Sequence, residues 1–452
     1  MKRLLVFLLL VSASGYSQKL VDSRQREIVF TSVNVVPMDT ETILTDQTVI
    51  IKDGKVQAIG KNLKYSKNAL VINAKDKYLI PGLAEMHAHV PPNDNLESHK
   101  EVLFLFAANG ITTIRGMLGH PSHITLRSKI NSGEVLGPRF YTTGPSFNGL
   151  SVKTAERGAE MVREQKAAGY DFLKLHPGLT KETFAAISST ANELKIPFAG
   201  HVSFGVGVWR AIDAGYSSID HLDGFIEGLV EGVHKGNVSE QEAGLFGMYL
   251  VDKVDNQLID LLMYGLKEKN IWVVPTQSLA DRWFAANFTG DDFLKDPDSK
   301  YMSRQTVTQW IDSKKNLMAD ARYNAQKIED FIKLRRKLIL ECQKNGIGLL
   351  LGCDAPQVFN VPGFSTHNEL KYLVDAGLTP YQALRTGTVN VAAYLNLPDA
   401  GIIKPGAVAD LILIDGNPLA DVTNTKKVSG VVLRGQWLSK TEIEAGLKRL
   451  EK

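Results

Sequence analysis

Short apolar runs alternate with helical segments through the middle of the chain, and β-rich stretches stand at both ends. Alternation of that kind indicates βα units and a parallel sheet. Eight such runs can be counted, enough to close a barrel. The sequence therefore predicts an α/β protein: a (β/α)8 TIM barrel with a small β-sandwich built from both termini.

Taken in order, the chain opens with Lys2 and Arg3, an apolar run from Leu4 to Val11, and small residues at Gly15 and Ser17. This fits a secretory signal over residues 1–17, with an apolar run too short to span a bilayer. Export to the periplasm or beyond, without stable membrane association, is the expectation. Residues 18–80 and 405–452 should form the β-sandwich. Asp53-Gly54 lies between Thr48-Val-Ile-Ile-Lys52 and Lys55-Val-Gln-Ala-Ile59, a hairpin signal. Near the other end, runs 409–414 and 428–433 are β-rich, and the chain turns again at Gly435. Residues 81–404 should form the barrel, with strands at 83–89, 111–115, 139–144, 172–176, 197–202, 218–222, 271–276 and 348–353.

The connection between the sixth and eighth runs is far longer than one βα unit needs. A helical insertion around residues 234–345 fills it. From Arg282 to Trp310 it carries Trp283, Phe284, Phe288, Phe293 and Tyr301 as well. An insertion after a barrel strand lies on the catalytic face, so these aromatics form either a lid or a packed helical subdomain.

Composition narrows the function classes. The chain has 452 residues, 44% hydrophobic and 22% charged, with a formal charge of +3. A near-neutral chain without basic runs argues against nucleic acid as a partner. Cys342 and Cys353 are the only cysteines, so this is no disulfide scaffold, and they are not expected to pair. A small-molecule substrate is the expected partner; homo-oligomerisation is left open.

The residues that carry chemistry fall at the ends of the expected strands. His87-Ala-His89 ends the first, and the strand period of two turns both imidazoles to one side. The fourth ends Phe172-Leu-Lys174-Leu-His176, where a lysine among apolar neighbours is costly to bury unless paired or chemically altered. His201 ends the fifth, His221 the sixth, and Asp354 closes the apolar run of the eighth. Singly, each reads as a structural histidine or half of an ion pair. Jointly, they sit where barrel enzymes keep catalytic groups, and imidazole with carboxylate suits zinc and similar divalent ions.

At these residues the chain resembles the amidohydrolase superfamily, most of all its exported binuclear dipeptidase and prolidase-like members and the related imidazolonepropionase-like enzymes. The resemblance covers nearly the whole mature chain. It rests on Pro81-Gly-Leu-Ala-Glu-Met-His87-Ala-His89, Gly110-Ile-Thr-Thr-Ile-Arg115, Lys174, His201, His221 and Asp354. It continues in Thr366-His367-Asn-Glu-Leu370, Ala376-Gly-Leu-Thr-Pro380 and Ile403-Lys-Pro-Gly-Ala-Val-Ala-Asp410. The resemblance implies two divalent metal ions, zinc by ligand type. His87, His89 and Asp354 would hold one and His201 and His221 the other, with carbamylated Lys174 bridging them. It further implies a metal-bridging hydroxide as nucleophile and Asp354 as catalytic proton carrier, cleaving the C–N bond of a small amide such as a dipeptide or N-acyl amino acid. Two alternatives stand beside this: a cyclic amidohydrolase or deaminase acting on a small heterocycle, and a metal-holding binding protein without turnover.

The loops depart from the prolidase pattern. Gly144-Pro-Ser-Phe-Asn-Gly149 stands where those relatives carry a glycine- and histidine-rich segment. His120 and His123, in the loop after the second strand, are substrate-binding candidates or solvent-exposed loop histidines. His176 either meets substrate and supports the ligands or is packed core. His367 either binds substrate or packs under the small domain.

Overall fold

The computed structural model describes residues 20–452; the signal expected over 1–17 lies outside them. The two ends of the chain meet in one mixed nine-stranded sheet. Its order is Val21–Asp22, Gln436–Ser439, Val428–Leu433, Leu411–Ile414, Tyr78–Pro81, Ile28–Val35, Leu44–Lys52 and Lys55–Gly60, with Leu70–Asn73 also paired to Ile28–Val35. Both expected tight turns are present. Asp53 and Gly54 adopt φ of 53° and 73°, and Arg434 and Gly435 adopt 52° and 80°, the double left-handed geometry that matches strand twist in a two-residue hairpin. Phe30, Val49, Leu79, Leu411 and Trp437 share the apolar cluster under this sheet.

Tyr78–Pro81 runs directly into the parallel part of the molecule. One three-stranded sheet joins Leu83–Ala88, Ile111–Gly116 and Arg139–Thr142; a four-stranded sheet joins Leu173–Leu175, Phe198–Gly200, Ser218–Asp220 and Trp272–Val274. Parallel bridges Thr143↔Phe172 and Phe147↔Leu175 connect the two sheets. Helices such as Leu96–Ala108, Ala155–Ala168 and Lys181–Glu193 separate the strands and bury their apolar sides against them. Their starts are set by caps: Asn95, Thr154 and Thr180 each accept backbone N–H groups of the first turn.

Seven of the eight expected parallel runs form ladder strands, six of them shorter than expected and Ile111–Gly116 one residue longer. The eighth does not. Residues 348–353 make one parallel bridge, Leu349↔Val273, and otherwise hold by single hydrogen bonds: Leu350 N–H to Val273 O at 2.9 Å, and Met86 N–H to Leu351 O at 2.8 Å on the other side. The segment is extended between its neighbours without the repeated register a strand needs.

Shortness has a purpose visible in the sequence order. His89, His176, His201 and His221 each follow immediately on the last ladder residue of their strand. Freed from the pleat, the backbone there can aim side chains inward.

The long connection is helical, including Leu258–Glu268, Arg304–Ala319 and Ala325–Lys344. Most of its aromatics are core. Phe284, Phe293, Tyr301 and Trp310 are buried, and Phe359 lies 5.1 Å from Phe293, 5.6 Å from Phe288 and 6.3 Å from Trp310 by ring centroid. No helix of the described residues is long and apolar enough to cross a membrane. Cys342 and Cys353 are both free and buried.

Candidate metal centre

Four imidazoles, a carboxylate and an amine converge at the strand ends. The rings of His87 and His89 are 5.4 Å apart, His87 and His221 4.4 Å, and His201 and His221 4.4 Å. His89 Nε2 lies 2.7 Å from Asp354 Oδ1, and His87 Nε2 lies 3.5 Å from the same oxygen. Lys174 Nζ donates to His87 Nε2 at 3.2 Å. His87, His221 and Asp354 each offer a ligand atom within 4.8 Å of the others.

Backbone geometry builds this convergence. Between Glu85 and Ala88 the register with Ile114–Gly116 slips by one residue, a bulge of the kind that re-aims side chains at strand ends. His221, Leu222, Thr276 and Asp354 adopt φ of 65°, 54°, 47° and 66°. Non-glycine residues in that region cost about 1–3 kcal/mol each and persist where packing over-determines them. Gly200 and Gly352 are required beside the ligands. A Cβ at Gly200 would sit 2.6 Å from Leu175 O, and one at Gly352 would sit 2.9 Å from His87 N.

Each imidazole is oriented by a group behind it. His87 Nδ1 donates to Asp220 Oδ2 at 2.7 Å, leaving Nε2 turned to Lys174. Asp220 is itself held by Arg115, whose Nη2 lies 3.2 Å from both carboxylate oxygens, and by Ser218 Oγ at 2.8 Å. Arg115 also donates to Met86 O and the Tyr394 hydroxyl. His201 Nδ1 donates to Asp223 Oδ2 at 2.8 Å, and His221 Nδ1 lies 2.9 Å from Thr276 Oγ1. Arg335, from Ala325–Lys344, donates to His221 O and Pro275 O, tying two strand ends to the insertion. A carboxylate behind a histidine fixes its tautomer and raises its basicity as a ligand.

The electrostatics favour neutral donors. Burial pushes His87 and His221 well below the ordinary histidine value and His201 down to about 3, with Lys174 the next cause for His87 and His201 and His87 for His221. Burial also lowers Lys174 to about 8, against the opposing pull of Asp220 and Asp354. Buried imidazoles kept neutral have a lone pair free for a cation. His221 Nε2 is one such atom, buried and without a partner among the described residues. A buried orphan nitrogen is costly unless something binds it, and nitrogen with carboxylate oxygen is a donor set that suits zinc. The residues present fit a divalent ion.

The other four candidate histidines divide. His176 joins the site: its ring is 5.1 Å from His201, and burial takes it down to about 2. His120 is partly exposed at the rim, with Nδ1 2.9 Å from Ser122 Oγ and 3.7 Å from Asp94. His123 corrects both expectations for it. It is fully buried in the first turn of Ser122–Ser132, its Nε2 donates to Pro91 O, and Phe140 packs on its ring. His367 is also packed away: Nδ1 lies 3.0 Å from Thr425 Oγ1 and Nε2 donates to Asn109 O, so both nitrogens are engaged.

Sequence reasoning passed over Arg115, Asp220, Asp223, Thr276, Arg335 and Phe246. Arg115 and Asp220 carried a weaker form of the signal that exposed Lys174, a charge within a strand, because Thr112, Thr113 and Ser218 share their strands. Phe246 carried none. It lies in the long connection, 6.1 Å from His201 and 5.5 Å from His221 by ring centroid, and walls the site.

Known proteins resemble this chain in sequence or in fold. Enamidase of Eubacterium barkeri is 24% identical over 400 residues, 84% of each chain. An adenine deaminase of Methanosphaera stadtmanae is 41% identical over only 73 residues, 16% of this chain and 12% of its own. Among solved structures, bottromycin amidohydrolase superposes with a TM-score of 0.68 at 21% identity, covering 93% of this chain and 89% of that one. An Xaa-Pro dipeptidase with bound methionine gives 0.65 at 19% identity, over 91% of this chain and 100% of that one. These two likenesses are of fold. The amidohydrolase family model matches residues 78–438, from the strand that leads to His87 through the last strands of the terminal sheet, and the chain belongs to the amidohydrolase family of hydrolases acting on C–N bonds.

Proposed function

We propose that the chain is a binuclear metallohydrolase that cleaves the amide bond of a small substrate, such as a dipeptide or an N-acyl amino acid. One observation carries this reading: four imidazoles, Asp354 and Lys174 meet in one cluster, with His221 Nε2 buried and unpartnered among the described residues. His87, His89 and Asp354 would hold one divalent ion and His201 and His221 a second. Zinc suits the donors. When bound, the ions supply the Lewis acidity that polarises an amide carbonyl and activates water.

This chain's residues do the rest. Lys174 Nζ, whose ammonium form burial disfavours, would add carbon dioxide as the free amine: the N–C bond forms, one C=O π bond opens onto oxygen, the nitrogen loses a proton, and the resulting carbamate anion would serve both ligand sets. Asp354 accepts a proton from the attacking water and delivers it to the leaving nitrogen. His176 and Phe246 bound the space beside His201. In the same reading the two parallel sheets and the 348–353 segment close as a (β/α)8 barrel, the nine-stranded sheet is a separate domain, and the 1–17 leader exports the enzyme.

The one-metal deaminase or cyclic amidohydrolase reading is weaker. The deaminase likeness covers a small part of the chain, and one ion gives Lys174 nothing to bridge. Stripping the protein with a chelator and reloading it with zinc decides the matter. Two ions per chain by elemental analysis should restore dipeptide or N-acyl amino acid hydrolysis; full activity with one ion rejects the binuclear assignment.

A further inference from the structure

Beside the ligand cluster opens a cavity of about 960 Å3, running from His201, Asp223 and Phe246 outward past Glu227 and Tyr249. Glu227 stands in the short helix Phe225–Gly228 that follows His221. Its side chain lines the cavity, the residue is 8% exposed, and Oε2 is buried without a hydrogen-bond partner among the described residues. An ionised carboxylate buried without a counter-charge costs several kcal/mol. Burial, followed by repulsion from Asp223, raises the Glu227 carboxyl above the usual range.

Three of the cations nearby are committed elsewhere. Arg335 donates to His221 O, Pro275 O and Gln277 Oε1. Arg322 pairs with Asp320, and Arg210 donates to Val206 O. Five cavity-lining residues are Asp or Glu against three Lys or Arg, so acidic residues outnumber basic ones along the lining. The chain also closes tightly over Glu227: a Cβ on Gly247 would sit 3.1 Å from its Cδ, and the preceding residue is Phe246. A carboxylate next to an aromatic face is a setting that attracts an organic cation.

We propose that this cavity takes substrates bearing an ammonium or guanidinium group, and that Glu227 is the side chain that pairs with it. The assignment rests on the amide-hydrolase reading and narrows its substrate class. It disfavours anionic or fully acylated substrates at this end of the pocket.

The test uses a matched pair of probes, L-leucinamide and N-acetyl-L-leucinamide, which differ in the ammonium. Binding is read by calorimetry on zinc-loaded protein carrying Asp354→Asn to slow turnover. The cationic probe should bind about ten-fold or more tightly than the neutral one, the scale of a charge-assisted contact. Adding Glu227→Gln should bring the ratio to within about three-fold, and Glu227→Asp should restore part of it. Equal affinities in the parent, or equal losses for both probes on Glu227→Gln, overturn the assignment. Zinc content measured in each variant separates misfolding from lost recognition. If the metal-replete native chain hydrolyses no amide or dipeptide, the hydrolase reading fails, while the calorimetric ratio still decides the role of Glu227.

Discussion

The floor and the wall of the site are built by different rules. The floor consists of strand ends, where His87, His89, Lys174, His201, His221 and Asp354 converge with backbone on both sides to fix them. The wall comes from the connection after Ser218–Asp220, where Glu227 and Phe246 are placed by the packing of short helices. On the floor, position along the chain dictates direction in space. On the wall it does not, because Phe246 reaches the imidazoles through a backbone at φ 55° that no periodicity announces. Chemistry should therefore be lost from the floor and selectivity from the wall.

The largest effect is expected at Lys174. Lys174→Ala should lower turnover by about 10³-fold or more, the scale on which residues that act as one unit fail together. Formate supplied in solution should restore part of it by replacing the carbamate. Assays with and without formate check this; a variant that keeps full activity removes Lys174 from the centre.

Asp354→Asn comes next. It should retain much of the metal and lose turnover by roughly 10²–10⁴-fold, the range for a positioned proton carrier. Parallel elemental analysis and rate measurements separate the two, and near-normal turnover refutes the assignment. Asp220→Ala acts one layer back. By releasing His87 Nδ1 and leaving Arg115 unpaired, it should weaken metal affinity by about 10–100-fold. A chelator competition titration reads this directly.

The same contrast explains what was legible. Lys174 stood out because a charge in an apolar strand needs a reason; Arg115 and Asp220 lie in Ile111–Gly116 and Ser218–Asp220, where Thr112, Thr113 and Ser218 make a charge less conspicuous. Segment 348–353 read as a strand from its apolar run, yet it meets Val273 at a single bridge. Composition does not reveal whether a partner offers a repeated register. His123 and His367 looked like site residues because histidines in loops near catalytic strands often are. The structure instead gives His123 Nε2 and His367 Nε2 to backbone carbonyls and His367 Nδ1 to Thr425, with His123 Nδ1 buried and unpartnered among the described residues. Both are buried, which pushes His123 down to about 4 and His367 to about 3. A histidine held neutral in the fold contributes stability that is lost as pH falls below the unfolded value of about 6.5, at roughly 1.4 kcal/mol per pH unit for each. Urea midpoints measured from pH 7.5 to 5 with zinc bound should fall accordingly. The slope should be shallower in His367→Asn, and an identical slope would show that His367 does not contribute.

The smallest effect on turnover is expected behind the wall, where two phenylalanines touch but face different environments. Phe246 lies against His201 and His221; Phe284 meets it edge-on from behind at 6.0 Å and packs on Phe331 and Trp283. Phe284 is 1% exposed, so Phe284→Ala opens a cavity and should cost about 3–5 kcal/mol of stability. Phe246→Ala removes a surface that substrate meets, so KM should rise several-fold while zinc content and kcat change little. The 282–310 segment then serves the site as scaffold, with Phe246 as its contact surface. Urea unfolding and steady-state kinetics on both variants give the answer. Should Phe284→Ala leave stability intact and shift side-chain preference instead, the aromatic segment itself is the lid and the wall extends into it.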